Sequence, residues 1–277
     1  EKLSHHLYDA IFKEDQSIHS DEILKYLNEA KKIIVEKHNG LFLHLLEDFE
    51  DRVKIFGTHL ATLDIRQDSR VHQGIIDDIL TKKSGLEIEK ISEEEKLNWL
   101  LNTNLVLDPN DFEGITKDTL ENINNIKNIQ KRNGERGMSR YIISNSDHIK
   151  EVLNVFALFK LCGYQEEEIN IDIVPLFETM EGLDAGENVM KELYNFPIYR
   201  RHVERRGNEQ TIMLGFSDGT KDGGYLKANW EIYETKEQLT KVSEDYGIKV
   251  IFFDGRGGPP ARGGGKTHDF YEKKKKT

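Results

Sequence analysis

Through the first 56 residues, apolar positions recur at a spacing near 3.6, as in LSHHLYDAIF and ILKYLNEAKKIIVEKH, and this predicts helix. Beyond them the pattern changes to five short apolar runs bounded by turn or cap residues. These are HLATLDI (59–65), RYIIS (140–144), NIDIVPLF (170–177), TIMLGF (211–216) and IKVIFF (248–253). The intervening stretches are helical by composition. SRVHQGIIDDILTKK, SEEEKLNWLLN and DTLENINNIKNIQKR precede the second run, and SDHIKEVLNVFALFKLCGY, GLDAGENVMKELY and DGGYLKANWEIYETKEQLTKVSEDYG separate the others. Short strands alternating with long helices predict a parallel sheet, because parallel neighbours need crossover connections. The expected organisation is a helical segment over 1–56 and a partial (β/α) region over 57–277, with no internal repeat or low-complexity linker.

Polar residues fall at the same place in each unit. The first run ends in Arg66, the second in Ser144-Asn145-Ser146, the third in Glu178-Thr179, the fourth in Ser217-Asp218, and the fifth in Asp254-Gly255-Arg256. A (β/α) barrel, or an open doubly wound sheet, builds its site at the C-terminal ends of parallel strands. One such residue alone would be a helix N-cap, the role expected of Ser146 or Asp147. Five in register point to a site. Five strands do not close an eight-stranded barrel, so the expected fold class is α/β: part of a TIM-type barrel with additional helices, cut from a longer chain. A start at Glu1 rather than Met and an end in EKKKKT agree with that expectation; the four lysines read as a solvated face.

Composition narrows the partners. The 39 basic and 50 acidic residues leave a formal charge of −11, which disfavours nucleic acid, whose phosphates select a basic face. The single cysteine, Cys162, excludes an intramolecular disulfide and fits a reducing compartment. It reads as a small helix residue, not a nucleophile. No apolar run approaches the ~18 residues needed to span a bilayer, and no signal-peptide pattern is present. No membrane partner is expected, and cytoplasm is the default. Trp99 and Trp230 lie in helical stretches and are expected in the core. His59 and His202 stand isolated and are expected to pack, not to ligate.

The densest chemistry lies in FFDGRGGPPARGGGKTHDFY, 252–271. Its GGGKT is like the end of a phosphate-binding P-loop, with Gly265, Lys266 and Thr267 in place, but Pro260 stands where the first glycine belongs. The dinucleotide pattern starting at Gly255 and Gly257 meets the same Pro260. A flexible surface loop would not explain Arg256 and Arg262. Anion gripping does, because glycines let the backbone approach a ligand closely and arginines supply bidentate donors. With Arg66 on another strand end, two or three guanidinium groups could converge on one phosphate. Glu178 and Asp218 would then repel that phosphate unless a hard divalent cation lay between, and Mg²⁺ takes one or two carboxylates plus substrate oxygens. Their bland role is N-capping of the following helices. Lys221, in GFSDGTKDGG, stands at the same mouth. The residues imply a metal-assisted enzyme acting on a small phosphorylated anion.

FGTHLATLDIRQDSRVH, SEEEKLNWLL, VPLFET, MLGFSDGTKDGG and DGRGGPPARGGGKTH together resemble the phosphoenolpyruvate carboxylase family, in that family's order, over about 56–268. The resemblance implies a (β/α) barrel wrapped in helices, and a carbon–carbon lyase that converts phosphoenolpyruvate and bicarbonate to oxaloacetate and phosphate with Mg²⁺ or Mn²⁺. It implies metal ligation by Glu178 and Asp218, and phosphate binding by Arg66 and Arg256 beside Gly255 and Gly257. Lys221 would neutralise substrate. Arg262 would be catalytic and would contact aspartate or malate inhibitors of an allosteric homotetramer that feeds the tricarboxylic acid cycle. Two departures stand out. Many members have histidine where this chain has Asp254, and an aspartate cannot donate a proton at neutral pH unless its pKa is raised. The family's essential histidine lies in a Thr-Ala-His-Pro-Thr motif upstream, and none of the ten histidines here has that context. The expectation is therefore a catalytic-core fragment with little or no turnover by itself. The alternative is a non-catalytic module that binds phosphoenolpyruvate or a dicarboxylate.

Overall fold

The structure, a computed structural model, describes residues 2–13, 17–215, 220–221, 223–255, 266 and 268. The chain divides into two compact units: Glu1–Asp64 with Asn124–Ser139, and Ile65–Ile123 with Arg140–Thr277.

The first unit carries α1 (Lys2–Phe12), α2 (Ser20–His38) and α3 (Leu43–Phe56). Asp21 and Glu22 open α2 and Lys37 and His38 close it, each matched in sign to the helix dipole. The helix stops at Asn39, whose left-handed backbone (φ 50°) lets its N–H reach the Ile34 carbonyl. Ile18, Ile23, Leu27 and Val53 form a small core, with Leu3, Leu7 and Leu46 packed against it.

The second unit is built on the strands. In chain order the elements are β1 (Leu63–Asp68), α4 (Ser69–Lys83), α5 (Glu93–Asn102), α6 (Gly114–Asn133), β2 (Met138–Ser144), α7 (Ile149–Leu161) and β3 (Asp172–Phe177). Then follow α8 (Met180–Asn195), α9 (Pro197–Arg205), β4 (Glu209–Leu214), α10 (Tyr225–Asp245) and β5 (Lys249–Asp254). The sheet order is β1-β2-β3-β4-β5, and the pairs from β2 to β5 are parallel. A doubly wound sheet would reverse its order at a switch point. This one never reverses, and crossovers of a single hand lay the connecting helices on one face of such a sheet. The helix contacts agree, running α4 to α7, α7 to α8 and α8 to α10 in strand order. The expected α/β class, part of a TIM-type barrel, is what the fold shows; the five strands do not close the barrel.

The two faces of the sheet differ. Ile142 and its register partner Val174, with Leu176 and its partner Met213, cluster on the face away from the helices. The alternate residues meet the helix layer. Phe177, for example, packs where Gly186 of α8 leaves room: a Cβ there would lie 3.4 Å from the ring. Helix α7 is apolar nearly all round and is buried nearly all round, from Val152 to Phe159.

Three expectations about local structure change. The strand predicted at 59–65 begins only at Leu63, because 59–62 turn, with Leu60 at φ 61°; the strand runs on to Asp68 and takes in Arg66. Neither Ser146 nor Asp147 caps α7. His148 does, its N–H donating to Glu151 Oε2 at 2.8 Å, while Ser146 Oγ donates to the Ile143 carbonyl. Trp230 is not in the core. It is 58% exposed on the outer face of α10, beside the exposed Leu226. Cys162 ends α7, and burial pushes its thiol up to about 12, so it stays protonated.

His202 packs its ring against Phe156 and Tyr199, with centroids 5.6 and 6.0 Å away. Burial, aided by Arg205 and Arg206, lowers its pKa to about 3, and burial lowers that of His72 to about 4. Both rings are neutral when folded and regain the ordinary value of 6.5 when unfolded. The unfolded chain then binds more protons as pH falls below that value, so stability declines until the folded pKa values are reached. Urea unfolding should show a loss of roughly 1.4 kcal/mol per pH unit for each ring. His202→Leu should remove about half of that slope between about pH 6 and pH 4.5; an unchanged slope would refute the assignment.

Candidate functional site

Hydrogen bonds continue past the ends of the strands and join them to one another. Ser69 Oγ donates to the Asn145 carbonyl at 2.7 Å, and Asn145 Nδ2 donates to Asp68 Oδ2 at 2.9 Å, tying β1 to β2. The Ser146 N–H reaches the Leu176 carbonyl at 3.5 Å, the Gly215 N–H the Phe177 carbonyl at 2.8 Å, and the Gly255 N–H the Leu214 carbonyl at 2.8 Å. Five strand ends are thereby held as one edge.

Side-chain alternation decides what faces where. On β1, Gln67 points into the helix layer. Its Nε2 donates to Thr119 Oγ1 at 3.1 Å, and its Oε1 accepts from the Tyr141 hydroxyl at 2.9 Å; His72 Nε2 lies 2.9 Å from that hydroxyl. Arg66 and Asp68, either side of Gln67, therefore fall on the other face. On β3, Phe177 packs on the helices, so Glu178 also falls on the other face. The outcome is a contact: Arg66 Nη2 lies 3.7 Å from Glu178 Oε2, with the arginine side chain 51% exposed and the glutamate only 12%.

Glu178 is not the cap of the following helix. Thr179 is, its Oγ1 accepting from the Gly182 N–H at 2.9 Å. The glutamate carboxylate lies against Arg66. Room for it comes from Gly215, its register neighbour on β4, where a Cβ would sit 2.4 Å from Glu178 Cβ and 2.9 Å from Glu178 Cα. Gly255, next along the edge, has the same need: a Cβ there would meet the Leu214 carbonyl oxygen at 3.1 Å.

Asp68 and Arg70 were not legible as site residues. Asp68 caps α4 by accepting from the Arg70 N–H, and it holds the Arg70 guanidinium through Nε at 2.9 Å and Nη2 at 2.7 Å. Those bonds, with Arg70's charge, hold the Asp68 carboxyl down to about 2. Arg70 and Glu178 also feel each other's charge, so a second guanidinium stands at this edge. The cap signal, an aspartate directly before a helical stretch, was present in the sequence; the ion pair two residues apart was not.

The structure brings Arg66, Glu178 and Gly255 to one edge of the sheet. Lys221 is exposed, in helical backbone between β4 and α10. Asp218, Arg256, Gly257 and Arg262 lie outside the described residues. Among the described residues no group of three or more His, Cys, Asp or Glu gathers as a metal site. Among the described residues at this edge, Glu178 offers a hard oxygen donor that suits Mg²⁺ or Mn²⁺. Clefts of about 470 and 460 Å³ open between helices, the larger beside Leu97, Lys160 and Arg201, and neither is lined by a strand-end residue. No helix among the described residues is long and apolar enough to cross a membrane.

Parallel strands in unbroken order, with a guanidinium and a nearly buried carboxylate meeting at their C-terminal edge, define an α/β protein of the barrel type with a charged mouth. A sequence profile of phosphoenolpyruvate carboxylase matches residues 2–270. The phosphoenolpyruvate carboxylase of Nitrosomonas europaea is 36% identical over 234 residues, which cover 80% of this chain and 25% of that protein. Those of Nitrosomonas eutropha and Gloeobacter violaceus are 34% and 32% identical over 83% and 88% of this chain, or 26% and 28% of theirs. The chain belongs to the phosphoenolpyruvate carboxylase family and spans about a quarter of the length of these curated relatives.

Gly215→Ala should lower stability by ~1–3 kcal/mol, because the added methyl forces β4 and Glu178 apart. Gly74→Ala is the control. Its Cβ meets nothing within 4 Å on the exposed side of α4, so helix propensity should raise stability by up to ~1 kcal/mol. Denaturant unfolding of the two variants side by side checks both signs.

Proposed function

We propose that this chain is a catalytic-core portion of a phosphoenolpyruvate carboxylase whose parent protein converts phosphoenolpyruvate and bicarbonate to oxaloacetate and phosphate. The observation that carries the reading is the meeting of Arg66 and Glu178 at the strand ends, in a chain of this family. A guanidinium and a carboxylate that touch without substrate are poised to separate. The carboxylate would then serve as a ligand for a divalent cation, and the guanidinium would bind the phosphate of the substrate.

In this reading Glu178 and Asp218 would hold Mg²⁺ or Mn²⁺, which would supply positive charge to offset the negative charge that develops during transfer. Arg66 and Arg256 orient the phosphate and stabilise its charge during transfer to bicarbonate. That transfer forms carboxyphosphate and the enolate of pyruvate. Carboxyphosphate releases CO2 and phosphate, and the enolate carbon attacks CO2 to make oxaloacetate. Lys221 adds positive charge at the mouth. Arg262 belongs to the glycine-rich loop that excludes water from the labile intermediate and takes aspartate or malate in the inhibited state. The parent is a cytoplasmic, allosteric homotetramer that replenishes the tricarboxylic acid cycle. This chain by itself turns over little or nothing, since it spans a quarter of its relatives' length and lacks the upstream Thr-Ala-His-Pro-Thr histidine.

Oxaloacetate formation should be measured for the parent protein with Mg²⁺, bicarbonate and phosphoenolpyruvate, with this chain alone beside it. The reading expects activity in the first and none in the second. Glu178→Gln in the parent should weaken Mn²⁺ binding by about 10- to 100-fold, seen by electron paramagnetic resonance. A silent parent, or undiminished Mn²⁺ binding in the variant, would overturn it.

A further inference from the structure

Asp254 stands where many members of the family have histidine, and the structure says what its carboxylate does. In the parallel register Asp254 pairs with Leu214, and Leu214 in turn with Phe177, which packs on the helix layer. By side-chain alternation Asp254 therefore faces the helices, whereas Glu178 faces away from them. What meets Asp254 on that side is Lys236 of α10, with Nζ 2.8 Å from Oδ1. The same ammonium lies 5.4 Å from the centroid of Phe252, the helix-facing residue two before Asp254. The lysine side chain is 12% exposed and the aspartate 35%, so this is no solvated surface pair. Lys236 sits between the buried Thr235 and the buried Leu239, on the side of α10 that packs against β5.

A lysine tucked that far from water needs a counter-ion, and the Asp254 carboxylate supplies one at 2.8 Å. That carboxylate lies two strands from Glu178, about 10 Å away by strand spacing. A further uncompensated carboxylate so near the edge would attract a cation and repel an anionic substrate. We propose that Lys236 is a positioning residue for the strand-end site: on the helix side, where register directs Asp254, it neutralises that carboxylate. An anionic phosphorylated substrate at the edge is then spared its repulsion. This inference rests on the carboxylase reading of the site.

The split between cation and anion tests it in the parent protein. Lys236→Met removes the charge and keeps the apolar stem. Expected are a KM for phosphoenolpyruvate raised about tenfold and Mn²⁺ affinity unchanged or tighter. Simple packing damage would weaken both. Adding Asp254→Asn to that variant removes the charge that needed neutralising, and should return the KM to within about threefold of the unmutated protein. An unchanged KM in Lys236→Met, weakened Mn²⁺ binding, or no recovery in the double variant would each overturn the proposal while an active parent leaves the carboxylase reading standing. A parent without carboxylase activity would overturn both.

Discussion

The closeness of β3 and β4 at their C-terminal ends governs the site. Glu178 keeps its place only because the residue beside it in register is Gly215, where a methyl group would fall 2.4 Å from Glu178 Cβ. Glycine at this position is a matter of volume, since its backbone does not adopt a positive φ. The Gly215 N–H then continues the ladder by binding the Phe177 carbonyl. Thr179 takes the helix cap, and the Glu178 carboxylate lies against Arg66. One small residue thus permits one acid to serve the edge of the sheet.

Charges on either side of the sheet are handled in opposite ways. On the helix side they are matched and largely shielded, as with Lys236 and Asp254, or replaced by neutral hydrogen-bond chains such as Gln67, Tyr141 and Thr119. Buried His72 and His202 remain uncharged for the same reason: an ion there would lose its water without gaining a partner. At the strand-end edge, Arg66 is half exposed and its partner lies at 3.7 Å, a loose contact that a ligand can replace. Asp68 and Arg70 are tighter, and their bidentate pair stiffens the start of α4 beside that edge.

Much of this was legible in the chain, because strand and helix periods are local properties. Strands β2 to β5 overlap the runs at 140–144, 170–177, 211–216 and 248–253, and helices α7, α8 and α10 formed between them, since each carries its own apolar spacing and punctuation. HLATLDI misled at its start because an apolar run says nothing about the backbone of a turn, and Leu60 adopts a left-handed one. Trp230 misled because helical periodicity places a residue on a face without saying whether another element covers that face.

The amino-acid sequence by itself determined the alternation of strands and helices, the parallel sheet, and the strand-end positions of Glu178 and Asp254; Arg66 lies inside β1, two residues before its end. Family membership was legible too, from motifs whose residues are contiguous. Only the tertiary structure decided which of those polar side chains share a face. Register sets that, and register depends on pairing between strands that stand 25 or more residues apart in sequence, such as Leu214 with Phe177 and with Asp254. A shift of one residue would have exchanged Asp254 and Phe253 between the two faces, and with them the partner of Lys236.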